Sequence, residues 1–389
     1  MREAVITAAV RTPVGKAKGC YTNLSTEDLG AIPIRELLKR TNVNPNEIDD
    51  VIYSTCRNLD IAIPGHMIGL QAGLPMEVPG FAVDRGCASS LTGFAIASSM
   101  IQTGIYDTVI VGGVEHSTRG VYKMNPAPQA YSMMPPTWVQ DKITPPEYEN
   151  LGMGETAERI AIEYGLTREM CDEFSVLSHK RAAAAWENHR FDDQIVPVEI
   201  KDRKKGTITI TQDESVRPDC SMEGLAKLRP SFRKDGIVTA GNSSGFVDAS
   251  AAVMVMEKSK AKALGLPILA RFVDCAAMGV QPQIMGIGPA KATKKLLERN
   301  KMTLNDIDLI ELNEAFASQS LACLKELDLN MDKVNVNGGA IALGHPFGAT
   351  GALLLTKLVY EMQRTDAENG IVTFCIGGGQ GYSVLVARE

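Results

Sequence analysis

No apolar run in this 389-residue chain approaches the roughly 20 residues that a membrane-spanning helix needs. The opening Met1-Arg2-Glu3 carries a charge pair where a signal peptide would carry a basic stretch and an apolar core, so a cytoplasmic protein is expected. Basic excess is missing too. A net charge of −6 argues against nucleic acid or an anionic membrane as partner, since either would leave a positive footprint. An anionic ligand would have to find a local basic patch. The eight cysteines (20, 56, 87, 171, 220, 275, 323 and 375) show no C-x-x-C spacing and no paired-histidine motif. Neither a zinc site nor a disulfide framework is signalled, which leaves reduced thiols and no metal. What is present, 44% hydrophobic and 22% charged residues, suits a soluble globular chain with two or three domains' worth of core.

Along the chain, strand and helix patterns alternate. Residues 3–10, 48–53 and 107–114 read as strands, the last ending in Gly112-Gly113. Ser25 caps a helix with Leu29, Ile32 and Leu37 on its apolar face, and Pro33 within it is expected to kink it or to mark a late start. Residues 64–74 and 88–103 read as further helices. The second is so rich in Ala, Ser and Gly that it must lie close against its neighbours. From Ser117 to Asn150 the chain turns proline-rich and loses periodicity, an irregular excursion. Order returns at residues 154–164 and 168–189, where Thr167 caps a helix whose Met170, Phe174, Leu177, Arg181 and Ala184 read as core. A hairpin with a basic, solvated tip is expected around residues 201–206. Strand and helix patterns resume at 248–257 and 268–278, followed by a helix over 288–299 and a strand over 307–312. Then come a helix over 314–327, a strand end at 334–337, a helix through Met362, and strands over 371–376 and 382–387.

Two segments follow one script. Ile48-Asp49 is followed 39 positions on by Gly86-Cys87 and then by Val109 to Gly113; Ile307-Asp308 is followed 38 positions on by Gly344-His345 (counting to His345) and then by Ile371 to Gly379. A duplicated α/β unit would bring Cys87 and His345 to equivalent places near the line between two halves.

The chemistry-bearing residues fall on this script. Cys87 opens a helix, where unpaired N–H groups and the positive end of the dipole would stabilise a thiolate. A small buried hydrophobe is the other reading of such a cysteine. His345 alone of the five histidines lies among glycines, in Gly338 to Gly351, with Pro346 fixing the chain after it. Cys375 ends a strand just before Gly377-Gly378-Gly379, whose N–H groups suit an oxyanion. Asn313, also at a strand end, offers an amide to orient a water or an imidazole. Two thiols, an imidazole and glycine N–H groups fit acyl transfer, with one thiol as nucleophile, the histidine as base and the second thiol as proton carrier. These stretches do not offer the catalytic carboxylate pair of a glycosidase.

These stretches resemble the thiolases, acetyl-CoA C-acyltransferases, over nearly the whole chain. The resemblance rests on Cys87-Ala-Ser, Asn313-Glu314-Ala315-Phe316, Gly338 to Gly351 and Cys375-Ile-Gly-Gly-Gly-Gln-Gly381. Leu228-Arg-Pro-Ser-Phe232 and Thr239-Ala240-Gly241-Asn242-Ser243-Ser244-Gly245 add to it. It implies an α/β, thiolase-like fold: two duplicated βαβαβαββ halves forming a layered αβαβα core. Residues 1–117 and 247–268 would form the N-terminal half, 118–246 an inserted loop domain, and 269–389 the C-terminal half.

By that resemblance Cys87 takes the acyl group from a 3-ketoacyl-CoA, and His345 activates Cys87 and then the incoming CoA thiol. Cys375 protonates the departing acetyl-CoA enolate, or removes the α-proton in the reverse Claisen condensation. His345 with a water held by Asn313 would form one oxyanion hole, and the N–H groups of Cys87 and Gly377 the other. Coenzyme A, a co-substrate and not a resident cofactor, would contact Arg217, Leu228, Phe232, Ala240, Ser244, Met285, Ala315 and Phe316, with Met153 beside the pocket. Acyl-CoA and CoA are the implied small-molecule partners, and a homodimer or homotetramer the implied assembly. Core packing is the plain alternative for Phe232, Met285 and Phe316, and a surface ion pair for Arg217.

Three features depart from the family pattern: Asp84 and Gly86 before the nucleophile, Gly152 before Met153, and the loop over 119–150. Met285 and Phe316 narrowing the pocket predict a short-chain preference. Other readings fit less well. Gly152-Met-Gly154-Glu-Thr-Ala157 mimics a dinucleotide fingerprint, but Pro145-Pro146-Glu147-Tyr148 precedes it where a strand is required. A β-ketoacyl synthase would lack the second thiol and its glycine run. A non-enzymatic acyl-binding protein would have no need of every catalytic position.

Overall fold

A computed structural model describes residues 2–127, 129, 131, 134–202 and 206–389. The chain begins with β1 (Ala4–Arg11), β2 (Gly15–Lys16), α1 (Thr26–Thr41), β3 (Asp50–Ser54), α2 (Pro64–Ala72), β4 (Gly80–Phe81), α3 (Ser89–Gln102) and β5 (Thr108–His116). It then leaves the sheet for an excursion with α4 (Met153–Tyr164), α5 (Arg168–Glu187), the hairpin β6 (Val198–Asp202) and β7 (Gly206–Ile210), and α6 (Met222–Ala226). It returns through β8 (Val247–Glu257), α7 (Lys258–Ala263) and β9 (Ala270–Gly279). Last come α8 (Gly288–Asn300), β10 (Leu309–Leu312), α9 (Ala317–Leu327), α10 (Ala340–Leu343), α11 (Thr350–Thr365), β11 (Asn369–Ile376) and β12 (Gln380–Ala387).

The strands lie in the order β10-β11-β12-β9-β1-β8-β5-β3-β4, and this order is a repeat read outward from its middle. On one side β4, β3 and β5 run parallel while β8 and β1 are antiparallel additions. On the other, β10 and β11 run parallel while β12 and β9 are antiparallel additions. Within the sheet the halves are paired at Val5↔Arg271 and Ile6↔Ala270. The duplicated fold inferred from the spacing of Cys87 and His345 is therefore present in the strand order itself.

Strands buried on both faces explain the near-continuous apolar runs. Within β3, Ile52 points inward while Val51 and Tyr53 point outward. The inner layer is α3 and α11, lying between the halves: Leu91, Phe94 and Ala97 of α3 and Leu354, Leu358 and Met362 of α11 share one core. Ile52, Val111 and Val253 of the first half and Val372, Phe374 and Val384 of the second complete it. Helices α1 and α2 cover the outer face of the first half, and α8 and α9 that of the second. The result is the αβαβα layering. The small residues of α3 have their use here, because a side chain on Gly351 of α11 would run into the backbone of Leu91.

Several expectations need correction. Helix α1 runs through Pro33 from Thr26 to Thr41; the missing N–H removes one backbone bond, and burial of Leu29, Ile34 and Leu37 holds the rest. Within 268–278 only strand forms, from Ala270 on, with no helix. The strand end at 334–337 shrinks to one bridge between Ile310 and Val334. Helix α9 starts at Ala317 rather than residue 314, because Ser243 and Phe316 form a β-bridge that keeps Phe316 extended. Met170, 40% exposed, and Ala184 lie on the solvent side of α5. The tip of the basic hairpin lies outside the described residues. Among the described residues no helix is long and apolar enough to cross a membrane.

One buried ion pair ties the central helix to the second half. Lys357 of α11 meets Glu311 of β10 at 2.8 Å and donates to the Gly338 carbonyl at 2.6 Å, with both side chains shielded from solvent. Removing one partner would strand a buried carboxylate. Lys357→Met is therefore expected to cost about 3–5 kcal/mol of unfolding free energy in urea titration; a loss under about 1 kcal/mol would mean that the pair is dispensable.

Candidate active site

The two turns that begin the central helices carry the chemistry. Gly86–Ala88 forms a short 3₁₀ turn leading into α3, and Phe347–Ala349 forms another leading into α11. These two turns pack against each other. Cys87 sits in the first, and His345 lies just before the second.

The lead-in to Cys87 explains its unusual residues. The Asp84 carboxylate accepts the Gly86 N–H at 2.9 Å, and Gly86 takes φ +51°, a left-handed conformation that glycine tolerates at little cost. A Cβ there would also stand 3.3 Å from Ile376 at the end of β11. Ser89 closes the turn, accepting from Arg85 N–H at 2.9 Å and donating to the Gly86 carbonyl at 2.6 Å. Asp84 and Gly86 are thus two parts of one turn that sets the nucleophile against the strand carrying Cys375.

The expectation that the helix start would favour a Cys87 thiolate is overturned. Burial, followed by the nearby Glu115 carboxylate, pushes the thiol up to about 12, against the opposing pull of the N–H groups of Cys87 itself and Gly377. The helix dipole is little help because a 3₁₀ turn intervenes before α3. At rest Cys87 is a neutral thiol and needs a base.

His345 is 3% exposed and placed on every side. Its Nδ1 pairs with Thr350 Oγ1 at 2.7 Å, its Nε2 with Asn313 Nδ2 at 3.3 Å, and the Phe347 ring stands edge-on at 4.8 Å. With the Asn313 amide donating to Nε2, Nδ1 carries the proton and gives it to Thr350, so Nε2 presents a lone pair. Burial lowers the imidazole to about 3, which keeps it neutral across the physiological range. Asn313 Oδ1 is buried and has no partner among the described residues.

Cys375 is buried at the end of β11, opposite Gly381 of β12. Burial holds its thiol well above the usual range, with the neighbouring Cys87 adding to the effect. Met285 and Ala315 are buried with it, and Met153 and Phe316 pack alongside. Ile143, from the irregular excursion, reaches over the turn that follows: a Cβ on Gly377 would stand 3.5 Å from Ile143 and 3.3 Å from Met153.

The remaining expected CoA contacts are unevenly placed. Ser244 donates through Oγ to the Ala315 carbonyl at 3.0 Å, and the exposed Phe232 meets Phe316 edge-on at 6.3 Å. Leu228 packs where a side chain on Gly241 would go, next to the exposed Ala240. Arg217 stands exposed, its backbone N–H given to His179 Nδ1 at 3.2 Å; among the described residues no hydrogen bond or ring contact ties it to the Cys375 group.

Three buried side chains that sequence reading left without a role hold this arrangement. Thr350 fixes the histidine tautomer from five residues further on. Glu314 accepts from Ser178 Oγ at 2.7 Å, Asn335 Nδ2 at 2.8 Å and Ile341 N–H at 3.2 Å, pinning the Asn313 loop to the glycine-rich segment. Glu115 takes three backbone N–H groups. Their signals were adjacency to Asn313 for Glu314 and to Gly112-Gly113 for Glu115. Both carboxylates are committed to hydrogen bonds and form no glycosidase pair.

Known proteins resemble this chain throughout. The family model described as thiolase, N-terminal domain, matches residues 4–259, and that described as thiolase, C-terminal domain, matches residues 266–388. An acetyl-CoA acetyltransferase of Pseudomonas aeruginosa is 42% identical over 394 residues, covering 100% of both chains. A 3-ketoacyl-CoA thiolase of Bacillus subtilis is 45% identical over 395 residues, covering 98% of each. Among solved structures, the Bacillus anthracis acetyl-CoA acetyltransferase superposes with a TM-score of 0.93 at 42% identity, covering 100% of this chain and 99% of that one. Human mitochondrial 3-ketoacyl-CoA thiolase superposes at 0.94 with 35% identity and the same coverage. With its duplicated halves, its paired thiols and both family models matched in order along its length, the chain belongs to the thiolase family.

Proposed function

We propose that this protein is an acetyl-CoA C-acyltransferase that cleaves short 3-ketoacyl-CoAs with coenzyme A, or condenses acetyl-CoA in reverse, through an acyl-Cys87 intermediate. The observation that carries the reading is a neutral imidazole and a neutral thiol held in adjacent turns, with a second buried thiol and the Gly377 N–H beside the first.

In the cleavage direction His345 Nε2 takes the Cys87 proton, and the thiolate adds to the C3 carbonyl of the substrate. Its oxygen takes the charge and is met by the N–H groups of Cys87 and Gly377. The C2–C3 bond then breaks, and the electron pair leaves as the acetyl-CoA enolate. Its thioester oxygen faces His345 and a water held at Asn313 Oδ1, and its carbon takes a proton from Cys375. The His345 imidazolium returns its proton to the Cys375 thiolate; neutral again, His345 takes the proton of a second coenzyme A thiol, whose sulfur attacks acyl-Cys87, and as the shortened acyl-CoA leaves, that proton passes to the released Cys87 sulfur.

Coenzyme A enters as co-substrate along the side formed by Leu228, Phe232, Ala240 and Ser244, with Met153, Met285, Ala315 and Phe316 walling the end that holds Cys375. Arg217 would serve only the nucleotide end. The close wall of Met285 and Phe316 supports acetoacetyl-CoA as the better substrate. We further infer a cytoplasmic homodimer or homotetramer. Ile63, Met67, Leu70 and Met76 support the assembly, exposed as they are ahead of the two-residue edge strand β4.

Three measurements check this. Cys375→Ala is expected to be acetylated on Cys87 by acetyl-CoA yet to cleave acetoacetyl-CoA about 100-fold or more slowly, the usual size of a lost proton donor; full-speed cleavage would remove Cys375 from the chemistry. The rate of Cys87 acetylation should stay level from about pH 8 to about pH 5, since His345 stays neutral down to about 3. A fall centred near 6.5, the ordinary histidine value, would show a solvated imidazole instead. Across a substrate series, kcat/KM should be highest for acetoacetyl-CoA and fall with length, and a higher value for chains of about ten carbons or more would reject the narrow pocket.

A further inference from the structure

Glu115 is the last residue but one of β5, its side chain is wholly buried, and no step above uses it. Its carboxylate accepts backbone N–H groups from two separate places. Cys56 at 3.1 Å and Arg57 at 2.9 Å come from the loop after β3, and Gly348 at 2.8 Å comes from the turn that follows His345. The first two belong to the N-terminal half and the third to the C-terminal half. The loop after β3 then continues the connection. Cys56 gives its S–H to the Gly86 carbonyl at 3.2 Å, the residue immediately before the nucleophile. A hydrogen-bonded path therefore runs from the Cys87 turn through Cys56 to Glu115 and on to the His345 turn. Packing leaves these backbones no slack: a side chain on Gly348 would press on Thr55, and one on Gly113 would meet the Gly348 backbone.

We infer that Glu115 is a positioning residue, a buried bracket that sets the His345 turn of one half in register with the Cys87 turn of the other. The inference rests on Cys87 and His345 acting as proposed above. A duplicated fold whose nucleophile and base come from different halves has this alignment problem, and a misplacement of about 1 Å can cost about 100-fold in rate. A carboxylate answers it because it accepts from several donors at once without offering one of its own. Glutamine would turn an NH₂ toward one of the three N–H groups and lose that link.

The bracket carries a charge as well as a shape. Burial raises the Glu115 carboxyl above its ordinary value, the three N–H groups and Arg57 oppose that rise, and as a carboxylate it raises the Cys87 thiol, second to burial. Around the pair stand Arg57, Cys56 and Asp84 from the first half and Cys375 from the second. Replacing the carboxylate by an amide would remove this repulsion and lower the pH at which Cys87 reacts as a thiolate; loosening would expose Cys87 and lower that pH too, so the shift counts as loss of the charge where KM is kept.

The test compares Glu115→Gln with Cys87→Ala and the wild type. Glu115→Gln is expected to lower kcat for acetoacetyl-CoA cleavage about tenfold or more with KM within about twofold. The rate of Cys87 alkylation by iodoacetamide, followed on its own peptide by mass spectrometry, should shift its midpoint to lower pH. An unchanged kcat, a KM that rises as far as kcat falls, or an unshifted midpoint overturns the inference. If Glu115→Gln does not fold, Cys56→Ala reads the same path, and wild-type kcat there overturns it equally. Cys87→Ala separates the two levels: activity surviving in that variant defeats the acyl-Cys87 reading, whereas its loss beside a fully active Glu115→Gln defeats the bracket alone.

Discussion

The structure depends on the close approach of two helix starts. Helices α3 and α11 form the layer shared by the halves, and with Gly351 against the backbone of Leu91 they touch near their N-termini. The two 3₁₀ turns that precede them are forced together as a consequence. One carries Cys87 and the other follows His345. The strand pairing between the halves would not do this alone, since β1 and β9 share two residue pairs. The apolar core of Leu91, Phe94, Leu354 and Leu358 supplies the driving force, roughly 1.5–3 kcal/mol for each large side chain fully buried.

Burying the two turns decides the electrostatics of the site. Taking Cys87, His345 and Cys375 out of water disfavours every charged form, so both thiols rise and the imidazole falls. The site rests as three neutral groups able to pass protons, with no standing ion pair. In the proposed reaction charge appears on substrate oxygens, met by the N–H groups of Cys87 and Gly377 and by His345 with the water held at Asn313. Thr350, Glu314 and Glu115 add no reactive group; they hold a tautomer, a loop and a register.

Much of this was legible in the sequence, for definable reasons. The repeat showed because each half must place a glycine turn between a strand and a central helix, which keeps the spacing to Cys87 and to His345 nearly equal. His345, Cys375 and Asn313 stood out because reactive side chains next to glycines or at strand ends are poorly explained by packing. What did not show was long-range. Glu115 looks like an ordinary residue near a strand end, and its partners lie 59, 58 and 233 positions away. The direction of the Cys87 shift was misjudged because a local pattern displays the helix start but neither the burial nor the carboxylate brought in by the fold. Met170 kept helical spacing with core residues yet faces solvent, since α5 in the excursion has one face packed and spacing alone does not say how wide that face is.

The proposed reaction stands on Cys87 carrying the acyl group, and the most direct measurement is to look for it there. The protein incubated with acetyl-CoA alone, quenched in acid and digested, should yield a single acetyl group on the peptide containing Cys87, discharged on addition of coenzyme A. Acetyl found only on another residue, or turnover with no acetyl on Cys87, would contradict it.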